Sequence, residues 1–343
     1  MSALVLGGAG YIGSHMVHAL RDAGHAVTVF DNLSRGFAEA VPDGVPLVRG
    51  DLGVPGDLDR ALRAGPFDVV MHFAAYAYVG ESVHEPELYY QNNFCGSLNL
   101  VAAMRRHGLQ SLVFSSTCAT YGEPDRLPIP ETHPQRPINP YGRSKWMVEQ
   151  MLADQALAHG LRSISLRYFN AAGADRNGRA GECHDPETHL IPLVLQEALR
   201  LQLGGDPEAT ALKVFGTDLP TSDGSCVRDY IHVEDLCQAH LRAAERLAVG
   251  QATGAEFYNL ANGAGFSVLE VIQSCTRVTG QAIRWQRLPR RAGDPAVLVG
   301  NATLAREVLG WTPSIQRLDD IVATAWRWML AQQPAQALNA ATQ

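Results

Sequence analysis

"LVLGGAGYIGSHMVHAL", residues 4–20, decides how the N-terminal half is read. The apolar run 3–6 meets glycines at 7, 10 and 13, and Gly8 also gives the G-x-G-x-x-G spacing. Ile12, Met16, Ala19, Leu20 and Ala23 then fall on one helical stripe, with Gly24 as the expected C-cap. A strand, a glycine turn and an amphipathic helix in that order head a βαβ unit. With no side chains in the way, the turn lets backbone N–H groups and the helix N-terminus approach a pyrophosphate.

Working outward, a second strand at 26–30 leads into Asp31, eighteen residues after Gly13. A carboxylate there accepts both ribose hydroxyls of an adenosine and repels a 2′-phosphate, which selects NAD over NADP. "RGDL" adds Asp51 after the third strand. That carboxylate either reaches an adenine amine or is an ordinary solvated loop residue. Further strands are expected at 47–49, 69–74, 111–115 and 163–168. Alternation of strand and helix predicts a Rossmann-type doubly wound parallel sheet, an α/β fold. From about residue 170 the rhythm loosens into "AAGADRNGRAGECHDPETHLIP", loop chemistry long enough to face a substrate. Beyond it come a helix near 191–203, strands near 212–215, 256–260 and 283–287, and a last helix carrying Ile321, Ala325, Trp328 and Met329. The expected division is an NAD-binding domain over 1–169, with a returning segment near 226–248, and a smaller C-terminal α/β domain over 170–343.

Composition narrows the partners. A net charge of −7 over 343 residues, with no long basic run, argues against nucleic acid. No apolar stretch approaches the roughly 20 residues that span a bilayer, and no basic leader precedes the first strand. Six cysteines without paired spacing fit free thiols and a cytoplasmic protein.

"INPYGRSK", residues 138–145, sets a tyrosine and a lysine four apart behind a helix-starting Asn139-Pro140. Tyr141 and Lys145 therefore share one face of a helix. A cation beside a phenol favours its ionised form and is expected to draw it from roughly 10 toward neutrality, making a base.

With that pair beside a glycine-rich nucleotide turn, the chain resembles the extended short-chain dehydrogenase/reductase superfamily. Within it the chain is similar to the UDP-glucose 4-epimerases (UDP-galactose 4-epimerases) over nearly its whole length. The matching stretches include "GGAGYIGSH", "DNLSRG", "HFAAYAYVGESV", "FSSTCATYGEP", "NPYGRSK", "LRYFNAAGA", "VRDYIHV" and "PRRAGD". "SSTCATYGEP" with "INPYG" also looks like the bacterial polysaccharide-associated and plant UDP-arabinose branches.

The resemblance implies that Gly7, Gly10, Tyr11, Ile12 and Gly13 cradle the NAD pyrophosphate. It implies Asp31, Asn32 and Ser34 at the ribose, and Asp51 with Leu52 at the adenine. Phe73, Ala74, Ala75, Asn92 and Phe169 are implied along the cofactor's path. Ala77 stands where the family often has a lysine walling the pyrophosphate, so one electrostatic contact is expected to be missing. Thr117 takes the place of the active-site hydroxyl beside Tyr141 and Lys145. For a UDP-sugar, the implied contacts are Asn170, Leu190, Val214, Phe215, Arg228, Arg291 and Asp294, with Leu298 walling the sugar pocket. Arg228 could equally pair with Asp229 or Asp235.

The implied activity is interconversion of UDP-glucose and UDP-galactose through a 4-keto sugar. Alternatives are another UDP-sugar (N-acetylhexosamine or pentose) and a non-catalytic NAD-sensing regulator. Dehydration lacks its acid and base, since Cys118 and Ala119 follow Thr117. Cys183, His184, Asp185 and His189, spaced C-H-x₄-H, fit no common zinc pattern, and no metal is expected. The family likeness also implies a homodimer packed through helices near 99–107 and 145–157.

Overall fold

Each apolar run of the first half becomes a strand: β1 (Ser2–Leu6), β2 (Ala26–Asp31), β3 (Leu47–Arg49), β4 (Val69–His72), β5 (Ser111–Thr117) and β6 (Arg162–Tyr168). The later strands are β7 (Asn170–Ala172), β8 (Lys213–Phe215), β9 (Val227–His232), β10 (Ala255–Leu260), β11 (Gly265–Ser267), β12 (Gln286–Leu288) and β13 (Val297–Leu298). This computed structural model describes residues 1–210, 212–290 and 295–340, with side chains to residue 333. Between the strands of the first half lie α1 (Tyr11–Asp22), α2 (Pro55–Leu62), α3 (Val79–His84), α4 (Pro86–Tyr89), α5 (Gly96–Arg106) and α6 (Pro140–His159). The second half adds α7 (Leu190–Gln202), α8 (Val233–Ala248), α9 (Val268–Thr279), α10 (Thr303–Leu309) and α11 (Leu318–Ala340).

A seven-stranded sheet runs β10-β6-β5-β4-β1-β2-β3 with every pairing parallel. β1 shows why its strands read as unbroken apolar runs. Ala3 and Val5 face one layer, with Met16 and Leu20 of α1 and Leu236 and Ala243 of α8. Leu4 and Leu6 face the other, with Leu58 of α2, Leu100 and Met104 of α5 and Val148 and Leu152 of α6. Covering both faces leaves no room for polar alternation. Each fully buried side chain of this kind contributes about 1.5–3 kcal/mol.

The chain leaves β1 toward β2 and β3, then crosses back to β4 on the other side of β1. The crevice opens beyond the carboxyl ends of those two strands, where open α/β sheets bind ligands. β10, from the second half of the chain, completes the sheet beside β6.

A second core gathers Ile191, Val194 and Leu195 of α7, Val271 and Ile272 of α9, and Ile321, Val322 and Trp326 of α11. It backs a small sheet in which β9 pairs in parallel with β7 and β13 and antiparallel with β11. Among the described residues no helix is long and apolar enough to cross a membrane.

Candidate active site

The glycine turn owes its shape to crowding. Gly7 has φ +76°, and a Cβ there would lie 2.5 Å from the backbone nitrogen of Ala74, just past β4. Only glycine lets the ends of β1 and β4 come this close. Gly10 is the extended N-cap of α1, whose helix turns Gly13, Met16, Val17 and Leu20 inward. Its C-cap is Ala23, one residue before the expected Gly24, which follows in the left-handed region.

Above this turn opens a cavity of about 1380 Å³. Of the residues expected at the cofactor, Gly7, Gly10, Tyr11, Ile12 and Gly13 line it, as do Asp31, Asn32, Ser34 and Leu52. Phe73, Ala74, Ala75, Asn92 and Phe169 do so too. Asp31 is buried at the end of β2, and its carboxylate accepts from the amides of Ala9 at 3.0 Å and Leu33 at 2.8 Å. Asp51 is not brought to the cavity wall. Its carboxylate accepts from Asn32 Nδ2 and from the Gly53 amide, each at 2.7 Å, so it braces Asn32 from behind.

The Tyr-Lys pair sits at the head of α6. Asn139 caps the helix by accepting from the Gly142 amide at 2.8 Å, and Pro140 occupies the first turn. A Cβ on Gly142 would lie 2.4 Å from the Ala119 carbonyl oxygen. That contact lets the first turn of α6 press against the residues after β5 and sets Tyr141 beside Thr117. Tyr141, Lys145 and Thr117 all line the cavity. Lys145 is buried, its Nζ donating to the Ser115 carbonyl at 2.8 Å and lying 4.9 Å from the centre of the Phe114 ring.

Electrostatics correct the expectation for the phenol. Burial pushes Tyr141 up to about 12, with a hydrogen bond to the Thr117 hydroxyl opposing it. Burial lowers Lys145 to about 7, opposed by Glu149 one turn further along α6. Desolvation dominates at both groups, and the ammonium is held by the Ser115 carbonyl.

Across the cavity stand Asn170, Leu190, Val214, Phe215, Arg228 and Leu298. Asp229 accepts from the amides of Asn262 and Gly263, and Asp235 from those of Ser314 and Ile315. Both carboxylates are thus engaged by backbone amides. Arg291 and Asp294 lie outside the described residues.

A Rossmann-type cradle, a Tyr-Lys pair at the neighbouring strand end and a facing second lobe have clear counterparts. Residues 3–261 match the model of the NAD dependent epimerase/dehydratase family. The chain belongs to that family. It is 49% identical over 328 residues to a UDP-glucose 4-epimerase of Halalkalibacterium halodurans, covering 96% of this chain and 95% of the relative. The UDP-glucose 4-epimerase of Brucella ovis, solved in complex with NAD, superposes with a TM-score of 0.89 at 47% identity, over 95% of this chain and 97% of that one. The Stenotrophomonas maltophila enzyme, solved with NAD and formylated UDP-arabinopyranose, gives 0.91 at 38% identity over 98% and 99%.

This epimerase-family chain has cavity residues that its motifs did not announce. Ala77 lines the wall, as expected, without a charge. The nearby cation is Arg35, whose guanidinium carbon lies 5.4 Å and 5.3 Å from the ring centres of Tyr76 and Tyr78 and which pairs with Glu81 at 2.6 Å. Nothing local in "DNLSRG" marks its arginine as reaching the residues that follow β4. Tyr168 also lines the cavity, its hydroxyl hydrogen-bonded to Ser115 Oγ. His184, Glu187 and His189 form another part of the wall.

Proposed function

We propose that the protein interconverts UDP-glucose and UDP-galactose by oxidising sugar C4 and returning the hydride to the other face. The observation that carries this is the meeting of Tyr141, Lys145 and Thr117 in one cavity. A dinucleotide cradle forms one wall of that cavity and the second lobe forms the other. Bound NAD supplies the hydride acceptor and regains its oxidised form each cycle, so no second substrate is consumed.

Tyr141 takes the proton of the 4-hydroxyl, a role worth on the order of 10²–10⁴ in rate for a positioned base. The Thr117 hydrogen bond favours the phenolate. Lys145, poised near pH 7, holds or releases a proton one helical turn away. The nucleotide is gripped from the second lobe by Asn170, Leu190, Val214, Phe215 and Arg228, together with Arg291 and Asp294. An arginine fork suits a diphosphate because it pairs two oxygens at once. Asp31 accepts the adenosine ribose of NAD and excludes a 2′-phosphate. Cys118 and Ala119 after Thr117 provide no carboxylate to expel a 6-hydroxyl, which favours epimerisation over dehydration.

The working form is a homodimer joined through α5 and α6, which expose Leu98 and Leu157. Its compartment is the cytoplasm, where six unbridged cysteines stay reduced. The activity is tested by incubating the purified protein with UDP-galactose and no added reductant. UDP-glucose is the expected product, and its absence, or a 4-keto-6-deoxy sugar in its place, overturns the assignment.

A further inference from the structure

Two Glu-x-His units stand back to back in the loop that enters α7: Glu182-Cys183-His184 and Glu187-Thr188-His189. The loop closes them on one point. Glu182 Oε1 accepts from His184 Nδ1 at 3.0 Å and also from His189 Nδ1. Glu187 approaches the same two nitrogens, Oε2 lying 3.8 Å from His184 Nδ1 and Oε1 3.7 Å from His189 Nδ1. One donor atom from each of the four residues lies within 4.8 Å of all the others. A tetrahedral ion with bonds of about 2.0–2.1 Å spaces its donors about 3.3–3.4 Å apart. Shifts of under about 1 Å, within the reach of side-chain rotation, therefore bring the four donors onto one ion.

Charge and support agree with that geometry. The side chains of Glu182 and Glu187 are only 8% and 6% exposed, so two carboxylates are buried side by side. Metal ligation takes neutral imidazoles, and a divalent ion then balances the two carboxylates. The surroundings hold the ligands in place. Trp328 Nε1 donates to the Glu182 carbonyl at 3.3 Å, and the His184 ring stands edge-on to Tyr11 and Tyr78 at 6.2 and 5.8 Å between centres. His184, Glu187 and His189 open on the cavity, which gives an ion a way in.

We propose that Glu182, His184, Glu187 and His189 bind one divalent transition-metal ion of the zinc type. Two imidazoles with two carboxylates suit zinc, whereas magnesium and calcium call for oxygen ligands throughout. The ion fixes the loop that leads into α7 and so stiffens one wall of the cavity. The C-H-x₄-H spacing concealed the site because half of its donors are glutamates, and Cys183 and Asp185 are not among them.

The test uses the full-length, NAD-loaded protein after dialysis against a chelator. Zn²⁺ is titrated calorimetrically, and Co²⁺ is followed by its visible spectrum. One equivalent is expected to bind with micromolar or tighter affinity. The Co²⁺ form should show the bands of a four-coordinate nitrogen–oxygen site with no thiolate charge transfer. Glu182→Gln and His184→Ala should each weaken binding at least about tenfold, while Cys183→Ser leaves it unchanged. Retained NAD in each variant shows that it has folded. Three results overturn the site: no saturable binding at millimolar metal, a thiolate band that disappears in Cys183→Ser, or an affinity that neither Glu182→Gln nor His184→Ala moves.

Discussion

Lys145 Nζ donates to the carbonyl oxygen of Ser115 at 2.8 Å, fastening the head of α6 to the end of β5 two residues before Thr117. The three side chains assigned to proton transfer thus hang from one joint between a helix and a strand. A second, buried joint lies one turn along, where Glu149 accepts from Ser116 Oγ at 2.6 Å and pairs with Arg167 at 2.7 Å.

Replacing Tyr141 with phenylalanine removes the proton acceptor and keeps the ring, which stands edge-on to Tyr89 at 6.4 Å between centres. Turnover should fall by about 10²–10⁴, with UDP binding and bound NAD nearly unchanged. Steady-state rates together with calorimetric UDP binding check this. More than a tenth of the wild-type rate contradicts the role.

Lys145 gives a pH signature in the cofactor-free protein. Burial holds its folded pKa at about 7, whereas the unfolded amine titrates near about 10.4. Between those values the unfolded state binds more protons, so this group's contribution to stability rises with pH. Below about pH 7 the buried ammonium carries its full desolvation cost. Lys145→Met lacks this cost. Its melting temperature should therefore exceed that of the wild type most at about pH 7, by an amount that shrinks toward pH 10. A difference that stays flat across this range contradicts the depressed pKa.

Purified protein should carry NAD(H) without supplementation, because a cofactor regenerated in place need not leave. The amides of Ala9 and Leu33 orient the Asp31 carboxylate at the end of β2. Denaturing the protein and assaying the released nucleotide should find NAD(H) in large excess over NADP(H). Predominant NADP(H) contradicts the reading of Asp31.

Leu298 lies in β13, beside Arg228 of β9, and lines the cavity. Leucine is narrower than tyrosine by a ring, so it admits a larger C2 substituent. Crowding a bulky group into a tight pocket costs about 1–3 kcal/mol. Leu298→Tyr should therefore cut activity on the UDP-N-acetylhexosamine pair by about tenfold or more and spare UDP-glucose and UDP-galactose. N-acetyl activity unchanged by tyrosine shows that Leu298 does not wall the sugar.

The features legible in the sequence were those set by local rules. Glycine spacing, the stripe centred on Met16 and Leu20, and the Asn139-Pro140 cap placed the β1–α1–β2 unit and the start of α6 within a residue or two. What escaped depends on chain closure. Residues 256–260 read as a strand, but nothing local assigns them to the sheet of β6, where register pairs Tyr258 with Leu166. β9 carries Arg228 and Asp229 among apolar residues, and its backbone partners β7, β11 and β13 come from three separate stretches. Asp51 holds Asn32 Nδ2 and the Gly53 amide by its two oxygens, contacts that "RGDL" does not announce. A motif records the lysine near Tyr141 and not the depth of burial, which raises the phenol's pKa. Glu182 and Glu187 look like loop solvation until the fold sets them against two histidines.

The most direct test of the central claim follows the hydrogen on C4. UDP-galactose labelled with deuterium at sugar C4 is converted in ordinary water, and the UDP-glucose formed is read by mass spectrometry and NMR. If hydride leaves C4 and returns to it within one closed cavity, the product keeps its deuterium at C4. Loss of the label to solvent during turnover means that C4 is inverted by proton exchange, and it contradicts the account.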